Sequence, residues 1–271
     1  MSQWHPTAIV DERADIADGV EIGPYCTIGP GVRIGSGTRL FSHVAIDGEA
    51  TLGTNNLIYP FVAIGYPPQV RPAIDGVTRI EIGSNNVIRE HVTLHTGTPK
   101  AERVTRVGSN VLFMVGTHVA HDCSIGDHVI LANGAQVGGH AVIGDFAQVG
   151  ALTGVHQFVR IGAYAFIGGC SAVEKHVIPY VLATGNRAWL RGLNIIGLQR
   201  ADFSKAEIDD LRKAYGFLFS GDELFRLQVA NLQAELEGSE RVAEIVRFCD
   251  EIEHSPGLAR RGMCLPRDGR L

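Results

Sequence analysis

Seven residues fall at spacings that suit acid–base chemistry: His118, His121 and Asp122, then Gly139 and His140, then His156 and Gln157. His121, Gly139 and Gln157 follow one another at intervals of eighteen residues, and Asp122 and His140 are separated by the same interval. In a chain that coils once every eighteen residues, such positions stack one above another. His156 then stands beside Gln157, and His118 lies on the strand that precedes His121. A carboxylate next to an imidazole orients the ring and stabilises its charged form. His121 with Asp122 behind it therefore reads as a general base working near neutral pH. The backbone N–H of Gly139, one strand spacing away, is placed to donate to a developing oxyanion. No serine or cysteine nucleophile falls in this column, so direct transfer without a covalent enzyme intermediate is the simplest chemistry. His118-Val119-Ala120-His121 has the look of a metal pair. Residues three apart in a strand point to opposite faces, however, so no metal is assigned and no cofactor is expected.

The eighteen-residue interval comes from a repeat of six. Aliphatic residues recur at Val10, Ile16, Ile22, Ile28, Ile34, Leu40, Ile46, Leu52, Ile58 and Ile64, and again at Ile82, Ile88 and Leu94. After a slip of one residue the phase resumes at Val107 and holds through Val119, Val137 and Val155 to Val173. Glycine often follows, as at Gly23, Gly83, Gly138 and Gly150. A period of six fits neither a helix nor a simple alternating strand. It fits a short strand plus a corner, with glycine where backbones crowd. Three such units close a triangular coil, and stacked coils pair as parallel strands about 4.8 Å apart. The repeat is interrupted at residues 66–79 and 97–106, and long excursions from a rigid coil usually carry function or cover an edge.

Past Pro179 the period changes. Ser204-Lys205-Ala206-Glu207 is a capping box. It opens a helix with Ile208, Leu211, Tyr215 and Leu218 on one face. A second helix is expected around Leu224, Leu227, Leu232 and Leu236, and a third around Val242, Ile245, Cys249 and Ile252. The expected organisation is a mainly β domain over residues 1–190, a helical domain over 191–255 and a disordered tail over 256–271.

Bulk properties narrow the function. A net charge of −5 and a pI near 6.1 argue against broad nucleic-acid binding. The five cysteines are scattered, odd in number and without CxxC spacing, which disfavours a disulfide framework or zinc ribbon. Neither a signal peptide nor a membrane span is visible. A reducing cytoplasm is the expected compartment.

The strings His118-Val119-Ala120-His121-Asp122-Cys123, Gly138-Gly139-His140, Val155-His156-Gln157-Phe158 and Ile167-Gly168-Gly169-Cys170-Ser171 resemble the UDP-N-acetylglucosamine acyltransferases of lipid A biosynthesis. So do Ile88-Arg89-Glu90, Gly185-Asn186 and Gly192-Leu193-Asn194. The resemblance covers nearly the whole chain. It implies a left-handed β-helix, against the usual right-handed crossover, and a homotrimer with active sites between subunits. It implies transfer of a 3-hydroxyacyl chain from acyl carrier protein to the 3-position of a UDP-sugar. His121 would be the base, Asp122 its orienting partner and Gly139 the oxyanion donor. His118, His140, His156 and Gln157 would contact the nucleotide sugar. Asn194 and Arg200 would hold its diphosphate or the carrier's phosphopantetheine. A bulky residue at Gly169 would shorten the acyl chain accepted.

The chain departs from this family in its acceptor loops. Val70-Arg71-Pro72 stands where Asp-Leu-Lys is frequent. Ile196 replaces a usual glutamate, Ala201 a usual basic residue, and His95-Thr96-Gly97-Thr98 a more common His-Arg-Gly-Thr. The missing carboxylate and lysine open an alternative, N-acylation of the 3-amino analogue of the same nucleotide sugar. Other hexapeptide acyltransferases, a noncatalytic scaffold and a carbonic-anhydrase-like metalloprotein share the repeat. The next, N-acylating enzyme of the pathway would need an additional N-terminal uridine-binding domain, and a repeat that begins by Val10 leaves no room for it.

Overall fold

From Ile22 onward the inward hexad residue is buried completely or nearly so: Ile22, Leu40, Ile58, Ile88, Phe113, Leu131 and Val149 lie along one inner column, while Val10 and Ile16 are partly buried. A second inward position lies two residues earlier and takes smaller side chains, as at Val20, Val44, Ala135 and Ala147. At Asn56 and Asn86 that position is polar, and the side chain serves the backbone of neighbouring coils. Asn56 Nδ2 donates to the carbonyls of Gly53 (2.9 Å) and Gly83 (3.0 Å), and its Oδ1 accepts from Asn86 N–H (2.9 Å). These two inward points per short strand, with a corner between, wind the chain into a left-handed parallel β-helix.

The computed structural model describes residues 3–71, 75–219, 225–235 and 238–267. Among them, three sheets of eleven, nine and eight strands form the faces of a triangular prism. Strand partners are eighteen residues apart through most of the chain, as in Val119 with Val137 and Val137 with Val155. Across the first interruption they are thirty apart, Ile64 with Leu94. Across the second they are twenty-five apart, Leu94 with Val119. Twenty-five is not a multiple of six, which is why the hexad phase slips by one residue before Val107. Both interruptions leave the prism at the same corner. They follow the strands Ala63–Tyr66 and Thr93–His95 of the nine-stranded sheet and precede Arg79–Ile82 and Val104–Val107 of the eight-stranded sheet.

The glycines that follow the aliphatics are required by close approach. A Cβ on Gly23 would lie 2.2 Å from Phe41 O, and one on Gly150 would lie 2.5 Å from Gly169 N. The left-handed backbone of the corners falls instead on large residues. Asp122, His140 and Phe158 have φ of 59°, 60° and 64°, and their equivalents on the other edges form ring ladders such as His128–Phe146–Tyr164.

After the last coil, the strands Val181–Thr184 and Trp189–Leu193 pair antiparallel, so sheet pairing runs past residue 190. The helices are α1 (Ile195–Arg200), α2 (Lys205–Phe219), α3 (Phe225–Glu235), α4 (Glu240–Glu253) and α5 (Pro256–Ala259). α1 was not expected from the sequence. The capping box at α2 is formed: Ser204 N–H donates to Glu207 Oε2 (2.9 Å) and Glu207 N–H to Ser204 Oγ (3.2 Å). The apolar faces expected for α2 and α4 are buried. In α3 Leu232 is buried, but Leu227 is 48% exposed, and Val229 takes the inward place. Leu224 and Leu236 lie outside the described residues. No described helix is long and apolar enough to cross a membrane.

The tail corrects an expectation. Residues 256–267 are placed rather than disordered, because the tail finds backbone partners on the last coil. His176 N–H donates to Gly262 O (3.0 Å), Cys264 N–H to His176 O (2.8 Å) and Leu190 N–H to Leu265 O (3.1 Å).

Close approach at the hexad glycine gives a direct test. Gly150→Ala is expected to cost about 1–3 kcal/mol, the usual penalty of overpacking. Gly257→Ala, where an added Cβ meets nothing within 4 Å, should change stability by less than about 0.5 kcal/mol. Denaturant midpoints of the two variants measure the contrast.

Candidate active site

The corner between the nine- and eight-stranded faces carries the predicted column. Strand His118–Val119 delivers the chain to this corner, where His121 and Asp122 turn it toward Ser124–Ile125. One coil on, Gly139 and His140 occupy the same corner, and one further, Gln157 and Phe158. Backbone bonds between coils fix the stacking: His140 N–H to His121 O (2.9 Å) and Phe158 N–H to Gly139 O (3.0 Å). The His140 and Phe158 rings lie parallel with centroids 4.4 Å apart.

Asp122 is the best-held side chain of the group, only 2% exposed. Its Oδ1 accepts from Thr98 N–H (2.8 Å), and its Oδ2 accepts from Thr98 Oγ1 (2.7 Å) and lies 2.8 Å from His121 Nδ1. Its own N–H donates to Thr105 Oγ1 (2.9 Å). An ionised carboxylate only accepts hydrogen bonds. His121 Nδ1 therefore carries the hydrogen, and Nε2 keeps its lone pair for a substrate proton. Gly97 packs on the same carboxylate, since a Cβ there would come within 2.8 Å of Asp122 Oδ1.

Gly139 lies under the His121 ring: a Cβ added to it would fall 2.7 Å from Nε2 and 2.6 Å from Cε1. No hydrogen bond to its backbone N–H occurs among the described residues. A free donor thus sits beside the free lone pair of His121 Nε2. His140 meets His121 edge-on, with centroids 5.1 Å apart, and its Nε2 is 3.6 Å from Asp122 Oδ2. Burial holds the His140 pKa below the ordinary histidine value, against the opposing pull of Asp122. His118 is lowered too, by burial first and then by His95 and His121.

The donor atoms of His121, Asp122 and His140 come within 4.8 Å of one another, a spacing a cation could bridge. This trio, not the His118–His121 pair, is the ligand-like group. Its carboxylate, however, already takes three hydrogen bonds, two of them from Thr98, which a cation would have to displace. Cys123, next in sequence, turns inward. Its thiol lies 3.2 Å from Gly138 O, and burial pushes its pKa up to about 12.

A cleft of about 540 Å³ opens on this corner. Val70, Arg71 and Asp75 line it from the first interruption, Thr98, Pro99 and Lys100 from the second, and His121, His140, Gln157 and Phe158 from the coil corners. Thus a carboxylate and a lysine do face the cleft, but from Asp75 and Lys100, not from the 70–72 string; Pro72 lies outside the described residues.

An acyl-[acyl-carrier-protein]--UDP-N-acetylglucosamine O-acyltransferase of Syntrophobacter fumaroxidans is 49% identical over 96% of this chain and 99% of its own. The chain belongs to the UDP-N-acetylglucosamine O-acyltransferase family. A Bartonella bacilliformis family member is 46% identical over 97% of this chain and 94% of its own. The solved Acinetobacter baumannii structure superposes with a TM-score of 0.89 at 43% identity, over 96% of this chain and 98% of that one. The family model for domain 2 of Udp N-acetylglucosamine O-acyltransferase matches residues 176–264, and the bacterial transferase hexapeptide model matches residues 105–139.

Within this acyltransferase fold the expected site residues divide into two groups. His121, His140 and Gln157 line the cleft, with Asp122 and Gly139 behind them. His118 stands on the adjoining face, its Nδ1 2.8 Å from Thr93 Oγ1. His156, Gly169, Asn194 and Arg200 do not line the cleft of their own chain. Asn194 is the N-cap of α1: its Oδ1 accepts from Gly197 N–H (3.2 Å) and its Nδ2 donates to Tyr164 O (2.9 Å). Arg200 closes the same helix. Sequence reasoning missed Thr98, Thr105, Asp75 and Lys100. The interruption of the repeat was the available signal for all but Thr105's specific partner.

The Asp122 hydrogen bonds predict the effect of Thr98→Val. It keeps the side-chain shape and leaves a buried carboxylate short of one donor. The expected cost is about 1–3 kcal/mol in stability, read from the shift in denaturant midpoint; an unshifted midpoint would mean that the hydroxyl is dispensable.

Proposed function

We propose that this protein transfers a 3-hydroxyacyl chain from acyl carrier protein to the 3-hydroxyl of UDP-N-acetylglucosamine, in the cytoplasm, with His121 as general base. The observation that carries the reading is the His121 ring, backed by Asp122 and set over the free N–H of Gly139 at the mouth of the cleft. In this reading His121 Nε2 takes the proton of the acceptor hydroxyl as its oxygen attacks the thioester carbonyl. Asp122 stabilises the resulting imidazolium, and Gly139 N–H donates to the oxyanion. The C–S bond then breaks, and the proton passes from His121 to the leaving thiolate. Cys123 is buried and its thiol is held protonated, which favours direct attack over a covalent enzyme intermediate.

His118, His140 and Gln157 hold the sugar in this scheme. Both histidines have pKa values lowered by burial, so they meet the acceptor as neutral hydrogen-bonding groups. Gly169, exposed on the prism, leaves a groove for the acyl chain. Asn194 and Arg200 serve the nucleotide or the carrier's phosphopantetheine from outside this cleft. A cleft built from one chain lacks them, so we infer a homotrimer in which a second copy supplies the facing wall. Closed cyclic symmetry provides such a wall. Sedimentation is expected to give three times the 29.2 kDa chain mass; an active monomer would refute the shared cleft.

Asp75 and Lys100 favour the hydroxyl acceptor over its 3-amino analogue. They return to the cleft the carboxylate and lysine that the 70–72 string lacks, so an altered loop no longer implies an altered acceptor. The test is kcat/KM with the hydroxyl and 3-amino forms of UDP-N-acetylglucosamine and one acyl carrier thioester. A preference for the hydroxyl of at least about tenfold, or 1.4 kcal/mol, is expected, and a preference for the amine would reverse the assignment. In the same assay His121→Ala should remain folded and lose about 10²–10⁴ in rate.

A further inference from the structure

The C-terminal tail reaches the edge of the prism that carries the active site. Arg261 is pinned on both sides. Ahead of it, His176 Nε2 donates to Leu258 O (2.9 Å), while His176 Nδ1 accepts from Arg160 N–H (3.0 Å). Behind it, Gly262 O and Cys264 N–H pair with the backbone of His176, and Cys264 Sγ lies 3.2 Å from Ala188 O. His176 is fully buried, so this clasp is enclosed. The segment between its two halves has little freedom, and it aims Arg261 at the catalytic edge.

There Arg261 Nη1 lies 3.4 Å from His156 Nε2. A guanidinium has donors and no acceptor, so His156 Nε2 must accept and its Nδ1 must carry the hydrogen. Nδ1 in turn lies 3.2 Å from Gln157 O, a carbonyl that can only accept. Gln157 is the next residue and lines the cleft. Arg261 has no carboxylate partner among the described residues, so nothing within the chain competes for it. Both ring nitrogens of His156 are thereby occupied inside the chain.

We propose that Arg261, His156 and Gln157 form a relay in which the C-terminal tail positions the acceptor-binding corner. Arg261 is a positioning residue: it sets the tautomer and rotamer of His156, and His156 holds the peptide of Gln157 at the angle that presents its side chain to the sugar. The proposal rests on the acyl-transfer reading for its kinetic consequence, but not for its structural one. It changes the role of His156 from a substrate contact to a support.

The experiment uses the full chain with Arg261→Ala, Arg261→Lys, His156→Ala and the double variant Arg261→Ala/His156→Ala. Losing one hydrogen bond of the relay should raise KM for the nucleotide sugar about three- to tenfold, with kcat within about twofold and an unchanged Tm. The double variant should match His156→Ala alone, because the two residues act in series. Arg261→Lys, which can still donate to Nε2, should recover most of the loss. Additive effects, or an Arg261→Ala enzyme with wild-type KM, would overturn the relay. A crystal structure of Arg261→Ala reads the relay whatever the substrate is: a moved His156 ring and Gln157 peptide support it, and an unmoved pair refutes it. Wild-type protein that transfers no acyl group would refute the functional reading, leaving that crystal structure to decide the relay.

Discussion

The hydrogen bond from His140 N–H to His121 O, 2.9 Å long, ties one coil to the next at the corner where the chemistry sits. It belongs to a ladder that repeats up the prism, here between two coils of the same length. That equality stacks Asp122 with His140 and His121 with Gly139. It also commits Asp122, His140 and Phe158 to left-handed backbone, a conformation that costs a non-glycine residue about 1–3 kcal/mol. The surrounding structure offsets that cost locally. Asp122 gains three acceptor contacts and a donor contact, and His140 stacks on Phe158. Strain and function therefore share the same three residues, as expected where a corner must present a side chain outward.

The two interruptions of the repeat obey the same constraint. A coil can be lengthened only at a corner, since lengthening a strand would turn its inward residues outward. Both insertions use the one corner that leads to the active site. The coil corners supply His121, His140, Gln157 and Phe158, and the excursions supply the other walls of the cleft. That division explains why His121 and Gly139 approach so closely that only glycine fits, while the loop residues Arg71, Asp75 and Lys100 are exposed.

Much of this was legible in the sequence because the coils from Val107 to Val173 are uniform. Eighteen-residue counting is reliable there, and it stacked His121 with Gly139 and Asp122 with His140. It fails where coil length changes. Thr105 lies seventeen residues before Asp122 and Thr98 twenty-four before it, and neither separation is readable without knowing how the second excursion folds back. The tail was misread for a related reason. Its arginine- and glycine-rich composition suggests disorder, but its order comes from backbone bonds to His176 and Leu190, which composition does not record. Leu227 was misplaced because α3 has little amphipathic contrast, and Val229 and Leu232 set its inner face.

Thr98 marks the boundary between what can drift and what cannot. Its N–H and hydroxyl both bind Asp122, and the preceding Gly97 is packed against that carboxylate and the backbone of Val104. A substitution at either position acts on the catalytic carboxylate directly. Pro99 and Lys100, one and two residues later, touch the cleft without touching Asp122. They can change with the acceptor and leave the base in place. Among the described residues the first excursion has no such anchor on Asp122, and Asp75 enters the cleft from three residues beyond the 70–72 string. Sequence change in these loops is therefore tolerable for a physical reason: Thr98, which holds Asp122 against His121, closes onto the prism, whereas Asp75, Pro99 and Lys100 line the cleft without touching that carboxylate.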